Sequence, residues 1–203
     1  MLIKICGMKY PDNIRRVAEL QPDMMGFIFY PGSPRYAGKM EVQVILKLPE
    51  NMTRVAVFVN ETYTHIRQIV ERYNINTIQL HGQESPEFCG KLREEGFQVI
   101  KAMGIKESAD FIPSYNYERV CDYLLFDTKS PDYGGSGQVF DWEILSAYQG
   151  KCPFLLSGGI GPDAMETLRK ISHPCFAGID LNSRFERSPA CKDIVLLSRF
   201  LNS

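Results

Sequence analysis

Residues able to move protons or hold anions recur in this chain wherever an apolar run gives way to a loop. Asp127 closes Leu124-Leu125-Phe126 and opens onto Thr128-Lys129-Ser130-Pro131-Asp132-Tyr133-Gly134-Gly135-Ser136-Gly137. A buried strand would hold the carboxylate still, while Gly134, Gly135 and Gly137 can adopt positive φ and let the loop fold over a ligand. Alone, the pattern reads equally as a turn-forming Asp before a surface Ω-loop. Cys6 ends an apolar run beside Gly7; a thiol there is either an inert core group or one that meets substrate. Arg35, in Tyr30-Pro31-Gly32-Ser33-Pro34-Arg35-Tyr36, is either solvated or offers its fork to a carboxylate or phosphate. His81, one of three histidines, is an acid or base, or a hydrogen-bonded wall residue. In Ser157-Gly158-Gly159-Ile160-Gly161-Pro162-Asp163, glycines precede an expected helix start, where free backbone N–H groups suit a phosphate. A thiol, a carboxylate, an anion clamp and a phosphate cradle together point to chemistry on a small phosphorylated molecule.

Composition narrows the partners. The 203 residues, 44% hydrophobic, have no linker or composition break and read as one domain, 1–203. No stretch is long and apolar enough to span a bilayer. Lys4 interrupts the first apolar run and no small-residue cleavage site follows, so no signal peptide is expected and the cytoplasm is the expected compartment. A net charge of -1 without a basic run argues against nucleic acid and membrane partners. The six cysteines are scattered without a Cys-x-x-Cys pair, which suggests neither a metal site nor disulfides, only small buried side chains. With no long exposed apolar stripe, a monomer is expected.

The elements that position these residues alternate. Strand-length apolar runs fall at 2–6, 24–29, 54–59, 77–80, 97–102, 122–126, 154–156 and 175–179, spaced by about one helix and two turns. Helical signals lie between them. They include Pro11 before Ile14 and Val17; Ile66, Ile69, Val70 and Tyr73; Ser85-Pro86 closing at Gly96; Asp141 before 142–148; Pro162 before Leu168; and Pro189 before Ile194. The weakest are 42–46 and the segment broken by Pro113. Alternating β-α units of this number predict a minimal α/β fold, the single-domain (β/α)₈ TIM barrel, whose chemistry sits at the carboxyl ends of the strands. The rival, an open doubly wound sheet, usually carries Gly-x-Gly-x-x-Gly after its first strand, and Ile5-Cys6-Gly7-Met8 does not.

In order, Lys4-Ile5-Cys6-Gly7, Gly26-Phe27-Ile28-Phe29-Tyr30, Ser33-Pro34-Arg35-Tyr36, Val57-Phe58-Val59-Asn60, Gln79-Leu80-His81-Gly82, Asp127-Thr128-Lys129 with Gly134-Gly135-Ser136-Gly137, and Leu156-Ser157-Gly158-Gly159 resemble the phosphoribosylanthranilate isomerases of tryptophan biosynthesis. The resemblance covers essentially the whole chain. It implies a (β/α)₈ barrel without metal or organic cofactor that converts N-(5-phosphoribosyl)anthranilate to the 1-deoxyribulose 5-phosphate by an Amadori rearrangement. It also implies Cys6 as general base, Asp127 as general acid and Arg35 facing the anthranilate carboxylate. His81 is kept as a binding residue at the mouth. The Gly158-Gly159 loop and the segment around Asp180, Asn182 and Ser183 match the phosphate site. One departure is Ser183-Arg184 where the family commonly has Ser-Gly, with Pro189-Ala190 for a later Pro-Gly. If the backbone at Arg184 demands positive φ it is strained, and its cation would pair with phosphate or Glu186.

The chemistry fits the residue types. Ring opening of an aminated ribofuranose needs a proton on the ring oxygen, and the Schiff-base cation so formed acidifies the C2 proton for a base. Cys6 must then reach its thiolate, helped by the iminium or by a neighbouring cation such as Lys4 or Arg35. Two other readings stay open. One is the related aminoaldose isomerase of histidine biosynthesis, where two aspartates are implied. The other is a non-catalytic phosphosugar binder, which gives the Cys6–Asp127 pair no purpose.

Overall fold

In the computed structural model, which describes residues 1–129 and 141–203, eight parallel strands pair in sequence order. They are β1 (Leu2–Ile5), β2 (Met24–Ile28), β3 (Thr53–Phe58), β4 (Thr77–Leu80), β5 (Gln98–Ile105), β6 (Tyr123–Thr128), β7 (Phe154–Leu156) and β8 (Phe176–Leu181). β8 hydrogen-bonds back to β1 and closes the barrel. The closure decides for the (β/α)₈ expectation over the open sheet. Asp127 falls inside β6 rather than just after it. The expected glycine loop at Gly134, Gly135 and Gly137 lies outside the described residues.

The helices start and stop where local chemistry requires. α1 (Pro11–Ala18) carries proline in its first turn, a position that needs no N–H donor. α2 (Val42–Leu46) is a single short turn. α3 (Tyr63–Tyr73) is capped by the Thr62 hydroxyl, which accepts from the His65 N–H, and it ends at Asn74 in the left-handed region. α4 (Pro86–Glu94) begins on Ser85, whose hydroxyl accepts from the Phe88 N–H. After β5 and β6 the expected helices are instead 3₁₀ segments, Ser108–Tyr117 around Pro113 and Trp142–Ala147. Pro113 has no N–H to give an α-helical ladder. α5 (Met165–Arg169) starts later than Pro162 suggested. Pro189 does not start the last helix; it sits between the hairpin strands β9 (Glu186–Ser188) and β10 (Cys191–Lys192). α6 (Ile194–Leu201) is capped instead by Asp193, whose carboxylate accepts from the N–H groups of Val195 and Leu196.

Both faces of each strand are buried, so the strands read as nearly continuous apolar runs. Cys6, Val55, Val57, Ile100, Ala102, Leu125 and Leu155 fill the barrel interior. Phe29, Tyr73, Phe111, Phe126, Tyr148 and Phe154 pack outside it, under the helices. One irregularity places site residues. β7 and β8 pair Phe154 with Phe176 but Leu155 with Gly178, so Ala177 is an extra residue in β8. Ala177 joins the interior cluster, whereas Ile179 and Leu181 join the outer one. The bulge therefore reverses the alternation and turns Asp180 inward. Among the described residues, no helix is long and apolar enough to cross a membrane.

Candidate active site

A single pocket at the carboxyl ends of the strands gathers Cys6, His81, Asp127, Gly158, Gly159, Asp180, Asn182 and Ser183, with Ile28, Val57, Gln79, Ser157, Ile160 and Arg184 completing its wall. Cys6 follows β1 and is anchored by its N–H, which donates to the Leu181 carbonyl at 2.9 Å. Its thiol is buried against β2, where only glycine fits: a Cβ on Gly26 would stand 2.7 Å from Sγ. Burial pushes the thiol above its usual value. Lys4 and Lys192 pull it down and Asp180 pushes it up, and the net remains upward. The group that resembles the family base therefore rests as a thiol.

Asp127 stands on the opposite side of the barrel. Its Oδ1 accepts from the Thr128 N–H at 2.8 Å, and its Oδ2 lies 3.4 Å from His81 Nε2. The loop after β7 closes onto it. Gly158, at φ +84, leaves no space for a side chain, since a Cβ there would fall 2.8 Å from Asp127 Oδ1 and 2.5 Å from the Thr128 nitrogen. Gln79 Nε2 stands 3.4 Å from His81 Nδ1, and its Oε1 is buried without a partner among the described residues. His81 is thus a wall residue held between Gln79 and Asp127. Its loop is fixed from below by Glu84, whose carboxylate accepts from the N–H groups of Asn60 and Gly82 and from buried Lys101 Nζ at 3.0 Å.

The remaining expected residues are engaged differently. Asp180 accepts from Lys4 Nζ at 2.7 Å and from Ser157 Oγ at 3.3 Å; an anion already holding a cation is a poor phosphate ligand. Asn182 Oδ1 accepts from Lys192 Nζ at 2.7 Å. Arg35 is not displayed on a solvated turn. Its Nε and Nη2 donate to Glu186 at 2.9 and 2.6 Å, leaving the side chain 13% exposed beside Gly7 and outside the pocket's lining. Among the described residues its Nη1 makes no hydrogen bond. Glu186, expected opposite Arg184, is also bonded to Lys192 Nζ at 2.7 Å. Arg184 is not strained either: it lies in a 3₁₀ turn, Ser183–Phe185, and the positive φ belongs to Ala190 at +67. The Arg184 guanidinium instead crosses the glycine loop, its Nε 3.7 Å from the point a Cβ on Gly161 would occupy. Because α5 begins only at Met165 and spans five residues, the donors facing the pocket there are the loop's own N–H groups rather than a helix N-terminus.

Lys101 and Lys192 had no place in the sequence reading. The signal for Lys101 was present, a lone lysine within an apolar strand. Lys192 carried none, because it depends on an unforeseen hairpin.

Residues 3–203 match the family described as N-(5'phosphoribosyl)anthranilate (PRA) isomerase. The chain belongs to this family. It is 47% identical to the N-(5'-phosphoribosyl)anthranilate isomerase of Phocaeicola vulgatus over 202 residues, covering 100% of this chain and 97% of that one. To the isomerase of Parabacteroides distasonis it is 46% identical, over 99% and 92% of the two chains. Among solved structures, the phosphoribosyl anthranilate isomerase of Thermotoga maritima superposes with a TM-score of 0.87 at 33% identity, over 100% and 97% of the chains. A second isomerase structure, with a TM-score of 0.84 at 29% identity over 100% and 97%, is a complex with reduced 1-(o-carboxyphenylamino)-1-deoxyribulose 5-phosphate. Among the described residues, no three His, Cys, Asp or Glu side chains gather as metal ligands.

Proposed function

We propose that Cys6 and Asp127 are the base and the acid of the isomerisation that defines this family, the Amadori rearrangement of N-(5-phosphoribosyl)anthranilate to 1-(2-carboxyphenylamino)-1-deoxyribulose 5-phosphate. The observation that carries the assignment is their placement: a thiol and a carboxylate from β1 and β6 share one pocket, roofed by the glycine loop after β7. Asp127 delivers a proton to the ring oxygen as the C1–O bond breaks. The Schiff-base cation then acidifies C2, Cys6 removes that proton as a thiolate, and the enolamine tautomerises to the ketose. Each group contributes about 10²–10⁴ in rate. Since Cys6 rests as a thiol, the substrate's iminium supplies part of the positive field that its thiolate needs.

Binding divides among the ends of the molecule. The substrate phosphate takes the N–H groups of the Gly158-Gly159 loop and of Asn182 and Ser183, with Arg184 above them. The anthranilate carboxylate takes the Nη1 side of Arg35, whose other edge Glu186 holds fixed. Asp180 acts on the base rather than on phosphate. The chain acts as a monomer on this reading, which rests on its few exposed large hydrophobics among the described residues, Met1, Tyr10, Leu46, Ile112, Tyr115 and Val195. Loss of the fluorescence of the anthranilate adduct on adding enzyme tests the function. Steady turnover is expected, and a folded protein that leaves the signal unchanged would overturn it.

A further inference from the structure

The reading of Cys6 as a base raises a question of charge: what stabilises a thiolate buried to 3% exposure? Lys4 precedes Cys6 by two positions, so both side chains point into the barrel. It is the Cα partner of Asp180 across β1 and β8, and the extra residue Ala177 is what turns Asp180 toward it. Their contact is 2.7 Å, with Lys4 fully buried and Asp180 6% exposed. The second oxygen of Asp180 is taken by Ser157. The Lys4 ammonium has three protons and uses one on this carboxylate, and Lys4 shares the inward face of β1 with Cys6.

We propose that Lys4 is the positioning residue that makes Cys6 a base, its buried ammonium, anchored by Asp180, being the charge against which the thiolate forms. The proposal rests on the assignment of Cys6 above. The proton leaves Sγ for solvent through the open mouth, the thiolate later takes the C2 proton and returns to the thiol, and Lys4 keeps its protons throughout.

The surroundings agree with this division. Burial works against the Lys4 charge, yet Asp180 and Cys6 more than offset it and raise its pKa. From β10, Lys192 pulls on the thiol in the same direction, but its ammonium is committed to Asn182 and Glu186 at 2.7 Å each, and burial lowers its pKa. Arg35 is tied to Glu186. From β2, Gly26 lies against the sulfur, and Met24 and Ile28 join its interior cluster, none of them charged. Across the pocket stand Asp127 and His81, paired with each other at 3.4 Å.

The test is the pH dependence of Cys6 alkylation by iodoacetamide, followed on the Cys6 peptide by mass spectrometry, in the wild-type chain and in Lys4→Met, Lys4→Arg and Asp180→Asn. Comparing midpoints rather than rates removes differences in access. Lys4→Met is expected to raise the midpoint by about one unit, a roughly tenfold loss of thiolate below it. Lys4→Arg should stay near wild type. Asp180→Asn should shift the midpoint less than Lys4→Met, because it relieves the carboxylate's push on the thiolate but also withdraws the anchor of the Lys4 charge. A merely structural role for Lys4 predicts an unmoved midpoint in Lys4→Met. Should Lys4→Met fold poorly around an unpaired Asp180, Lys4→Met/Asp180→Asn removes both charges. Its midpoint should still exceed wild type, since Lys4 pulls more than Asp180 pushes. A midpoint unmoved or lowered on loss of Lys4 overturns the proposal. Alkylation needs no turnover, so that outcome is distinct from failure of Cys6 as base, which normal turnover by Cys6→Ser would reveal.

Discussion

Glu186 grips Arg35 across 151 residues of sequence, its carboxylate accepting from Nε at 2.9 Å and from Nη2 at 2.6 Å. The guanidinium is thereby aimed before any ligand arrives, at the cost of keeping two charges largely out of water. Arg35→Ala should raise KM by an amount equal to about 1.5–3 kcal/mol with kcat little changed. It should also lower the melting temperature, because Glu186 loses one of its two cations and keeps Lys192 and the Ala190 N–H. Steady-state kinetics beside a thermal melt separate the two effects. Lost kcat at unchanged KM would place Arg35 in the chemistry instead.

Glu186 gives the fold a pH signature. Burial alone would push its carboxyl up, but Arg35 and Lys192 more than offset this and hold it below its ordinary 4.5. A carboxyl depressed in the folded state stabilises above its unfolded value and loses that contribution as pH falls through the folded one. Glu186→Gln should therefore destabilise by about 3 kcal/mol at pH 7. The gap to wild type should narrow as pH falls below 4.5. Urea titrations from pH 7 downward measure it, and a gap constant with pH would deny the ion pair its role.

The barrel was legible because every strand is an apolar run bounded by turn chemistry, and Cys6, His81 and Asp127 were legible because such runs end on them. What escaped was anything set by a one-residue shift or a long-range pair. The Ala177 bulge changes which face Asp180 occupies, and nothing in Phe176-Ala177-Gly178-Ile179 marks it. The hairpin that brings Glu186 and Lys192 to Arg35 and Asn182 is hidden in the sequence, since Pro189 is an ordinary helix-start signal. Ser183-Arg184 in place of Ser-Gly suggests strain at Arg184, whereas the left-handed position is Ala190, six residues on.

Gly158 cannot carry a side chain. Gly158→Ala would combine positive φ with contact on Asp127 and Thr128, costing about 1–3 kcal/mol. Displacement of the Asp127 carboxylate should lower kcat as well. A variant with wild-type melting temperature and kcat would show that the loop does not brace the acid.

Ala190 holds φ +67 where a Cβ is disfavoured. Ala190→Gly relieves about 1–2 kcal/mol of backbone strain, offset by about 0.4–1 kcal/mol of added unfolded-state entropy. The net is a small rise in melting temperature. Arg184→Gly should show no such gain, since Arg184 is not in the left-handed region, but it should weaken inorganic phosphate binding. Calorimetric titration reads that loss.

The central claim is that Cys6 and Asp127 divide one proton-transfer reaction between them, and kcat of Cys6→Ser, Asp127→Asn and the double variant tests it most directly. Each single change is nearly isosteric, so folding and binding of the reduced product analogue should persist while kcat falls by about 10²-fold or more. The double variant should be scarcely slower than the worse single one, because the two groups act in sequence on the same substrate. Near-normal kcat in either single variant, with substrate bound and the chain folded, would contradict the assignment of that residue.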